Sequence, residues 1–136
     1  DALDFALNYL TKSISSVILV SDFINISQGT KDKLNLLSNR FETMALMIRD
    51  PMDKSLPEVQ GEFVLEDPAS GERILINPKL AKASYEEIVQ QQDRVVKQTL
   101  FSLGIDVLEL MTNTPFIANL ASFMKLRTKS KKGVMI

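Results

Sequence analysis

The chain has 136 residues, of which 45% are hydrophobic and 24% charged, and its formal net charge is −1. This is the size and composition of one ordinary globular domain, long enough to bury a core without cross-links. There is no cysteine and no histidine, which excludes disulfides, zinc–thiolate centres and the Ser–His–Asp triad. Only hard cations with oxygen ligands are left as candidate metals. The near-neutral charge gives no reason to expect nucleic acid as a partner.

Helical and extended patterns alternate in the first third of the chain. Residues 1–12 place apolar side chains mainly on one helical face, and residues 31–41 repeat leucine and phenylalanine at helical spacing, with Thr30 as the expected N-cap. Residues 16–22 and 43–49 are short apolar runs, and the first suits a strand covered on both faces. Two strands joined by a helix and short loops favour a parallel pair with a right-handed crossover.

The pattern changes after the second strand. Residues 50–61 contain two prolines, a glycine and several acids, and are predicted to form a loop. Two alternating runs, 62–67 and 72–77, flank a four-residue turn and predict a β-hairpin. This hairpin is expected either to extend the edge of the sheet or to form a lobe beside it.

The last part returns to alternating helices and strands. A long helix is predicted over residues 79–103, ended by Gly104, and a third strand over residues 105–111. Thr114 and Pro115 are expected to start a last helix. Its predicted apolar face consists of Phe116, Ile117, Leu120, Phe123 and Met124.

Five basic residues follow between Lys125 and Lys132, among them Arg127. A solvated C-terminus is the favoured interpretation, and contact with phosphate or a membrane surface is the alternative. We predict a domain over residues 1–127 and a basic flexible tail over residues 128–136.

The predicted fold class is α/β, a partial Rossmann-like three-layer sandwich of parallel strands with a β-hairpin inserted at residues 62–77. Three parallel strands are few for a free-standing sheet, and a flank of the first strand is expected to need strands from outside this chain. The amphipathic pattern begins at Asp1 without a lead-in. We therefore expect a piece of a longer protein that self-associates, or is completed by another chain, through an exposed strand edge.

Two acids follow the two neighbouring strands. Asp22 and Asp50 come directly after the apolar runs, at the edge where open α/β sheets bind ligands. Together they could hold Mg²⁺ or Ca²⁺, with further oxygens from Ser21, Ser27 and Thr30. The alternative is that each acid only caps the turn or helix that follows it. A metal-dependent hydrolase using Asp22 and Asp50 is the catalytic version of this hypothesis.

Other routes to catalysis have little support in the sequence. There is no glycine-rich phosphate loop, and Ser122 and Lys125 share the Ser-x-x-Lys spacing only beside the core face of a helix. The chain is not expected to be an enzyme.

Two surfaces are candidates for partner contact. The acidic loop after the second strand supplies Asp50, Asp53 and Glu58, and loops at this edge often carry function. Residues 90–93 (Gln-Gln-Gln-Asp) are polar around a whole helical turn, for which a solvated face is the favoured interpretation and partner contact the alternative.

Several short motifs occur in a characteristic order over about residues 1–127. They are Ser21-Asp22-Phe23, Ile48-Arg49-Asp50-Pro51, Leu56-Pro57, Leu65-Glu66-Asp67-Pro68, Ser70-Gly71-Glu72-Arg73 and Gly104-Ile105-Asp106. In this order they resemble the prokaryotic family called domain of unknown function 58, a von Willebrand factor A-like group.

The resemblance implies that the chain is the C-terminal half of such a domain. In that fold a metal-ion-dependent adhesion site combines an Asp-x-Ser-x-Ser loop, a threonine and an aspartate after the fourth strand, and Asp22 matches that aspartate by position. No Asp-x-Ser-x-Ser occurs in this chain, so the remaining ligands are expected upstream and no metal is expected on this chain alone.

The resemblance also implies a function. Family members are thought to act with MoxR-type AAA+ ATPases in assembling or activating other proteins. We therefore expect a protein-interaction or scaffolding module, metal-dependent in the longer protein, with a ligand-free structural domain as a further alternative. The expected location is the cytoplasm, with membrane attachment through other segments as the alternative.

Overall fold

The structure is a computed structural model that describes residues 1–11, 13–55, 63–66, 71, 73–76 and 78–129. Its elements in chain order are α1 (Ala2–Tyr9), β1 (Ser16–Ser21), α2 (Gln28–Arg40), β2 (Glu42–Arg49), α3 (Pro51–Lys54), β3 (Phe63–Glu66), β4 (Arg73–Ile76), α4 (Pro78–Ser102), β5 (Asp106–Met111) and α5 (Ile117–Lys129).

Three strands form a parallel sheet in the order β1-β2-β5. Ile18 pairs with Met44, and Met44 pairs with Asp106, so the three strands run in one direction with β2 in the centre. The predicted α/β class and the parallel strands are confirmed. Among the described residues, β1 pairs with β2 alone.

The predicted hairpin is present. Strands β3 and β4 pair antiparallel, with Phe63 opposite Ile76 and Glu66 opposite Arg73. They make a separate two-stranded sheet in the part of the chain that the structure describes. Of the two expected positions, the hairpin therefore takes that of a unit of its own and does not extend the parallel sheet.

Helices cover both faces of the parallel sheet. On one face, side chains from α2 and α4 pack with those of β2 and β5 in a cluster that includes Leu34, Ala45, Leu100 and Val107, and Leu3 of α1 packs against it. On the other face, Phe123 of α5 packs with Met44, Leu108 and Leu110. The core thus lies on both sides of β2 and β5.

Strand β1 is less buried than its sequence suggests. Ile18 is 51% exposed and Val20 is 64% exposed. They pair in register with Met44 and Leu46 of β2, on the same face of the sheet. Among the described residues, helix α5 packs on this face against β2 and β5, and Ile18 and Val20 of β1 lie beyond it. The expectation that this strand is covered on both faces is therefore wrong for the described chain.

Helix α5 also differs from its prediction. It begins at Ile117 and not at Pro115, and of the five predicted core residues only Phe123 is buried. Phe116, Ile117 and Met124 are 51%, 74% and 40% exposed. The reason is that one narrow side of α5 faces the sheet, so apolar side chains to either side of Phe123 meet solvent.

The helix ends have the capping residues expected from the sequence, except at the start of α2. Ser27, and not Thr30, is the N-cap of α2, since its hydroxyl accepts the Thr30 main-chain N–H at 3.2 Å. Gly104 has φ of +73°, the left-handed conformation expected where α4 ends. The segment predicted as a loop after β2 starts with the short helix α3, which Pro51 initiates.

The basic C-terminal segment is partly ordered. Helix α5 continues to Lys129, past the predicted boundary at residue 127. Arg127, predicted to be solvated with the other cations, instead bonds Asp106 (Nε–Oδ2 2.5 Å) and Glu42 (Nη2–Oε1 3.0 Å). Residues 130–136 of the predicted tail lie outside the described residues. No helix in the described part of the chain is long and apolar enough to cross a membrane.

Candidate functional site: the turn after β1

Asp22 lies on an exposed turn directly after β1. Its Oδ1 accepts hydrogen bonds from the Ser21 hydroxyl at 3.3 Å and from the main-chain N–H of Ile24 at 3.5 Å. We call residues 21–24 the Asp22 turn. The carboxylate therefore stands at the carboxyl edge of the sheet, where a partner can reach it.

Phe23 gives this turn an unusual backbone. Its φ is +48°, and no other non-glycine residue in the described part of the chain has a positive φ. A bulky residue in the left-handed region is disfavoured by its Cβ and needs support from its surroundings. Two supports are the burial of the Phe23 side chain in the core and the hydrogen bond from its N–H to the Ser21 hydroxyl at 3.2 Å.

Arg49 provides a third support from inside the protein. Its side chain is only 4% exposed, and its Nη1 donates a hydrogen bond to the main-chain oxygen of Asp22. Its Nε and Nη2 donate to Oδ1 of Asp93 on α4, at 3.2 and 2.6 Å. One guanidinium thus joins β2, α4 and the Asp22 turn.

The charges continue from Asp93 toward β5. Lys54 bonds Oδ2 of Asp93 and also Oε1 of Glu109, the second at 2.8 Å, and Lys97 reaches Oε2 of Glu109 at 2.6 Å. We call Arg49, Asp93, Lys54, Glu109 and Lys97 the charge network, of which Arg49 and Asp93 are buried and the other three are partly exposed. It alternates in sign, so every buried charge in it has an opposite neighbour, as a low-dielectric interior requires.

The network shifts the ionisation of its members. Burial raises the pKa of Asp93, but hydrogen bonds from Lys54 and Arg49 outweigh it and hold this pKa below the ordinary value. The pKa of Glu109 is lowered in the same way, against burial, by Lys54 and Lys97. Burial lowers the pKa of Lys54, but Asp93 and Glu109 raise it above the usual lysine value. All three groups therefore stay charged at neutral pH.

The solvated interpretation of residues 90–93 is wrong at Asp93. Gln90, Gln91 and Gln92 are exposed, but Asp93 is 6% exposed and fully paired. The sequence does carry a signal for it, because Asp93 falls on the same helical stripe as Val89, Val96 and Leu100. An acid within a core-facing stripe indicates a buried partner.

The sequence indicated only that Arg49 lies on the core-facing side of β2. It follows Ala45 and Met47 at a spacing of two, on the face of β2 that packs against α2 and α4. Pattern alone could not pair it with Asp93, which lies 44 residues away in the chain.

The acids after β2 serve a helix cap. Asp50 Oδ1 accepts the Met52 N–H at 3.0 Å, and Asp53 Oδ2 accepts the Asp50 N–H at 2.8 Å, a reciprocal capping box. Asp50 Oδ2 also accepts the Thr112 hydroxyl at 2.8 Å. The Met52 N–H first and Thr112 second lower the pKa of Asp50. The third predicted contact residue, Glu58, lies outside the described residues.

The predicted metal ligands are therefore divided among separate tasks. In the part of the chain that the structure describes, the carboxylates of Asp22 and Asp50 share no hydrogen-bonding partner, and Ser27 and Thr30 bond each other at the start of α2. In the described ranges, no group of three or more acidic, histidine or cysteine side chains is placed to hold a metal ion. Asp22 and Ser21 fit one corner of a Mg²⁺ site and do not complete one.

A cleft runs beside the Asp22 turn along α4. Its inner end, about 110 Å³, is lined by Ile24, Tyr85 and Val89, with Arg49 and Asp93. The wider outer part, about 670 Å³, has only uncharged side chains in its lining, among them Ile26 and Val95. The turn thus forms one wall of a groove whose inner end is charged and whose outer part is uncharged, with the polar side chains of Asn25, Gln91 and Gln92 beside its apolar ones.

Comparison with known proteins identifies the family. The model of the family described as protein of unknown function DUF58 matches residues 1–95, more than half of the chain. The chain belongs to this family. The match includes the Asp22 turn, Arg49 and Asp93, so the site described above lies within the family's own region.

Relatives from mycobacteria are similar over 114 residues. The chain is 27% identical to the uncharacterized protein MAV169 of Mycobacterium avium, over 82% of this chain and 66% of that protein. It is also 27% identical to uncharacterized proteins of Mycobacterium bovis and Mycobacterium tuberculosis, over 82% of this chain and 35% of each. The chain thus spans about one third of the length of these two relatives. No solved structure matches it.

Proposed function

We propose that this chain is a protein-interaction module whose contact edge is the carboxyl end of the β1-β2-β5 sheet. The observation that carries the proposal is the Asp22 turn, which presents an exposed carboxylate on a backbone that a buried guanidinium holds from within. Exposed polar residues on a rigid scaffold at this edge are the usual position for recognition in α/β proteins. The acids that cap α3 have internal partners and are secondary candidates.

We further propose that the chain is part of a larger von Willebrand factor A-like domain. Support comes from the exposed side chains of Ile18 and Val20 and from the free edge of β1 among the described residues. Helix α1 packs against α2, with Lys33 bonding Asp4 at 2.7 Å. A helix on that face leading into β1 is the crossover of a right-handed unit whose earlier strand would lie at this free edge.

In that larger domain Asp22 would be one ligand of a divalent cation such as Mg²⁺. One carboxylate and one hydroxyl suit a cation that keeps several waters and shares its remaining ligands with other segments. The function would then be metal-dependent adhesion to a partner protein, for which a MoxR-type AAA+ ATPase is the candidate that the family resemblance implies.

The experiment is a binding assay on the longer natural protein and the MoxR-type ATPase of the same organism, with Mg²⁺ or with EDTA. Wild type should bind only with Mg²⁺, and Asp22→Ala should bind at least about tenfold more weakly, because the cation that joins the two proteins loses a carboxylate ligand. Asp32→Ala, an exposed acid on α2, is the matched control and should bind normally. Equal binding by wild type and Asp22→Ala would refute the role of Asp22.

A further inference from the structure

We infer that Arg49 is a positioning residue for the Asp22 turn: its buried guanidinium, held by Asp93, sets the direction in which Asp22 leaves the edge of the sheet. The inference rests on the proposed function, because a fixed direction matters only if Asp22 makes a contact. Through Arg49, the charge network would thus fix the backbone of a turn at the protein surface.

The geometry of the guanidinium is the first argument. Its Nε and Nη2 donate to Asp93, which fixes the plane of the group, and its Nη1 then meets the main-chain oxygen of Asp22. A planar fork of donors can hold two partners at a set angle, whereas a lysine ammonium is a point charge on a flexible stem. The bond reaches the peptide unit that links Asp22 to Phe23, so it constrains the backbone and leaves the carboxylate free.

The backbone of Phe23 is the second argument. A φ of +48° in an aromatic residue persists only where the surrounding structure enforces it. The Ser21 hydroxyl that accepts the Phe23 N–H is itself exposed and rotatable. Among the described residues, Arg49 is the one buried, ion-paired side chain that bonds this peptide unit.

The partner of Arg49 is the third argument. Asp93 opposes the charge of the guanidinium, and Lys54 occupies the other carboxylate oxygen. Arg49 can therefore approach the Asp22 turn without an uncompensated positive charge beside the Asp22 carboxylate. An arginine without Asp93 would compete with any cationic group that binds there.

The test removes the guanidinium and keeps the fold. Replacing a buried ion pair by apolar residues of similar volume is often neutral for stability, whereas removing one partner is not. The test variant is therefore the double substitution Arg49→Met with Asp93→Leu. Lys97→Met, at the far end of the same network, is the control. Backbone ¹⁵N relaxation of the 136-residue chain, recorded for every variant at a concentration below the onset of self-association, gives an order parameter for each amide.

In wild type and in the control we expect order parameters near about 0.85 at Phe23 and Ile24, and in the double variant below about 0.6. Amides of β2 and β5 should not change, and the ¹³C shifts of Phe23 should lose their left-handed signature. A rigid turn in a folded double variant would overturn the inference. If that variant does not fold, Arg49→Lys replaces it, and an unchanged turn there has the same meaning.

Different measurements test the contact made by Asp22 and the positioning role of Arg49. Asp22→Ala leaves Arg49 in place, so a binding assay on this variant tests the contact and not the positioning. A mobile turn in the double variant together with normal partner binding by Asp22→Ala would support the positioning role and refute the contact edge.

Discussion

Arg127 of α5 and Asp106 at the start of β5 form a partly buried ion pair, with Nε 2.5 Å from Oδ2 and side chains 9% and 6% exposed. The same guanidinium reaches Glu42 at the start of β2, at 3.0 Å. The pair therefore joins α5 to the amino edge of the sheet, opposite the Asp22 turn.

Replacing Arg127 by leucine should destabilise the fold by about 3 kcal/mol, because Asp106 would lose an opposite charge in a buried position. The measurement is urea unfolding monitored by circular dichroism. Lys125→Ala, an exposed cation on the same helix, should cost less than about 0.5 kcal/mol. Equal effects of the two substitutions would contradict the structural role of Arg127.

The free energy of unfolding should fall in acid and stay nearly constant in mild base. The pKa values of Asp93 and Glu109 are lowered on folding, so their contribution is present above the ordinary carboxyl pKa of about 4 and is lost as pH drops below it. The pKa of Lys54 is raised, so its contribution persists to about pH 10 and is lost above that. Thermal unfolding from pH 2 to pH 11 measures the loss of stability in acid and the loss in base. A steep loss of stability between pH 5 and pH 8 would contradict this assignment, since the chain has no histidine.

Asp50→Ala should lower the unfolding temperature, because α3 loses its N-cap and the Thr112 hydroxyl loses its acceptor. Asp50→Asn should retain most of the stability, since asparagine caps helices about as well as aspartate. Differential scanning calorimetry distinguishes the two. If Asp50→Ala also weakens Mn²⁺ binding to the longer protein as much as Asp22→Ala does, Asp50 belongs to the metal site and the capping role is incomplete.

The isolated chain should self-associate through β1. Ile18 and Val20 are exposed on a strand whose second edge is free among the described residues, and such edges pair with other chains. Val20→Lys should raise the dissociation constant at least about tenfold in sedimentation velocity, because an edge lysine opposes strand pairing. Leu36→Lys, on the exposed side of α2, should have no effect. A monomeric wild-type chain at high concentration would contradict the prediction.

Local patterns predicted the fold well. The two apolar runs became β1 and β2, alternation around Pro68 to Gly71 predicted the antiparallel pairing of β3 and β4, and Gly104 ends α4 as expected. Period and turn chemistry act within a few residues, so they can be read from one sequence.

Burial could not be predicted as well, because it depends on which surfaces other elements cover. Phe116 and Ile117 lie in an apolar pattern and are exposed, whereas Arg127 lies in a basic stretch and is enclosed. Asp93 is enclosed as well, on the core-facing stripe of α4. Their partners, Arg49 and Asp106, are distant in the chain, and pairings of this kind follow only from the tertiary arrangement.

The sequence predicted where the candidate site lies, but not the contacts within it. Asp22 lies at the edge expected for it, and its exposure suits a contact residue. The simpler alternative, that Asp50 only caps the turn or helix that follows it, is the one observed, and its reciprocal bond with Asp53 was not predicted. The link from Arg49 to the Asp22 main chain was not predictable, because it needs a guanidinium, a carbonyl and Asp93 to meet in three dimensions.

The most direct test of the central claim is calorimetric titration of the longer natural protein with Mn²⁺, comparing wild type, Asp22→Ala and the control Asp32→Ala. We predict measurable affinity in wild type and in the control, and a loss of at least about tenfold in Asp22→Ala, as expected when a charged ligand is removed from a small oxygen-ligand set. Equal affinity in all three proteins would contradict the assignment of Asp22 as a ligand of the divalent cation at the contact edge.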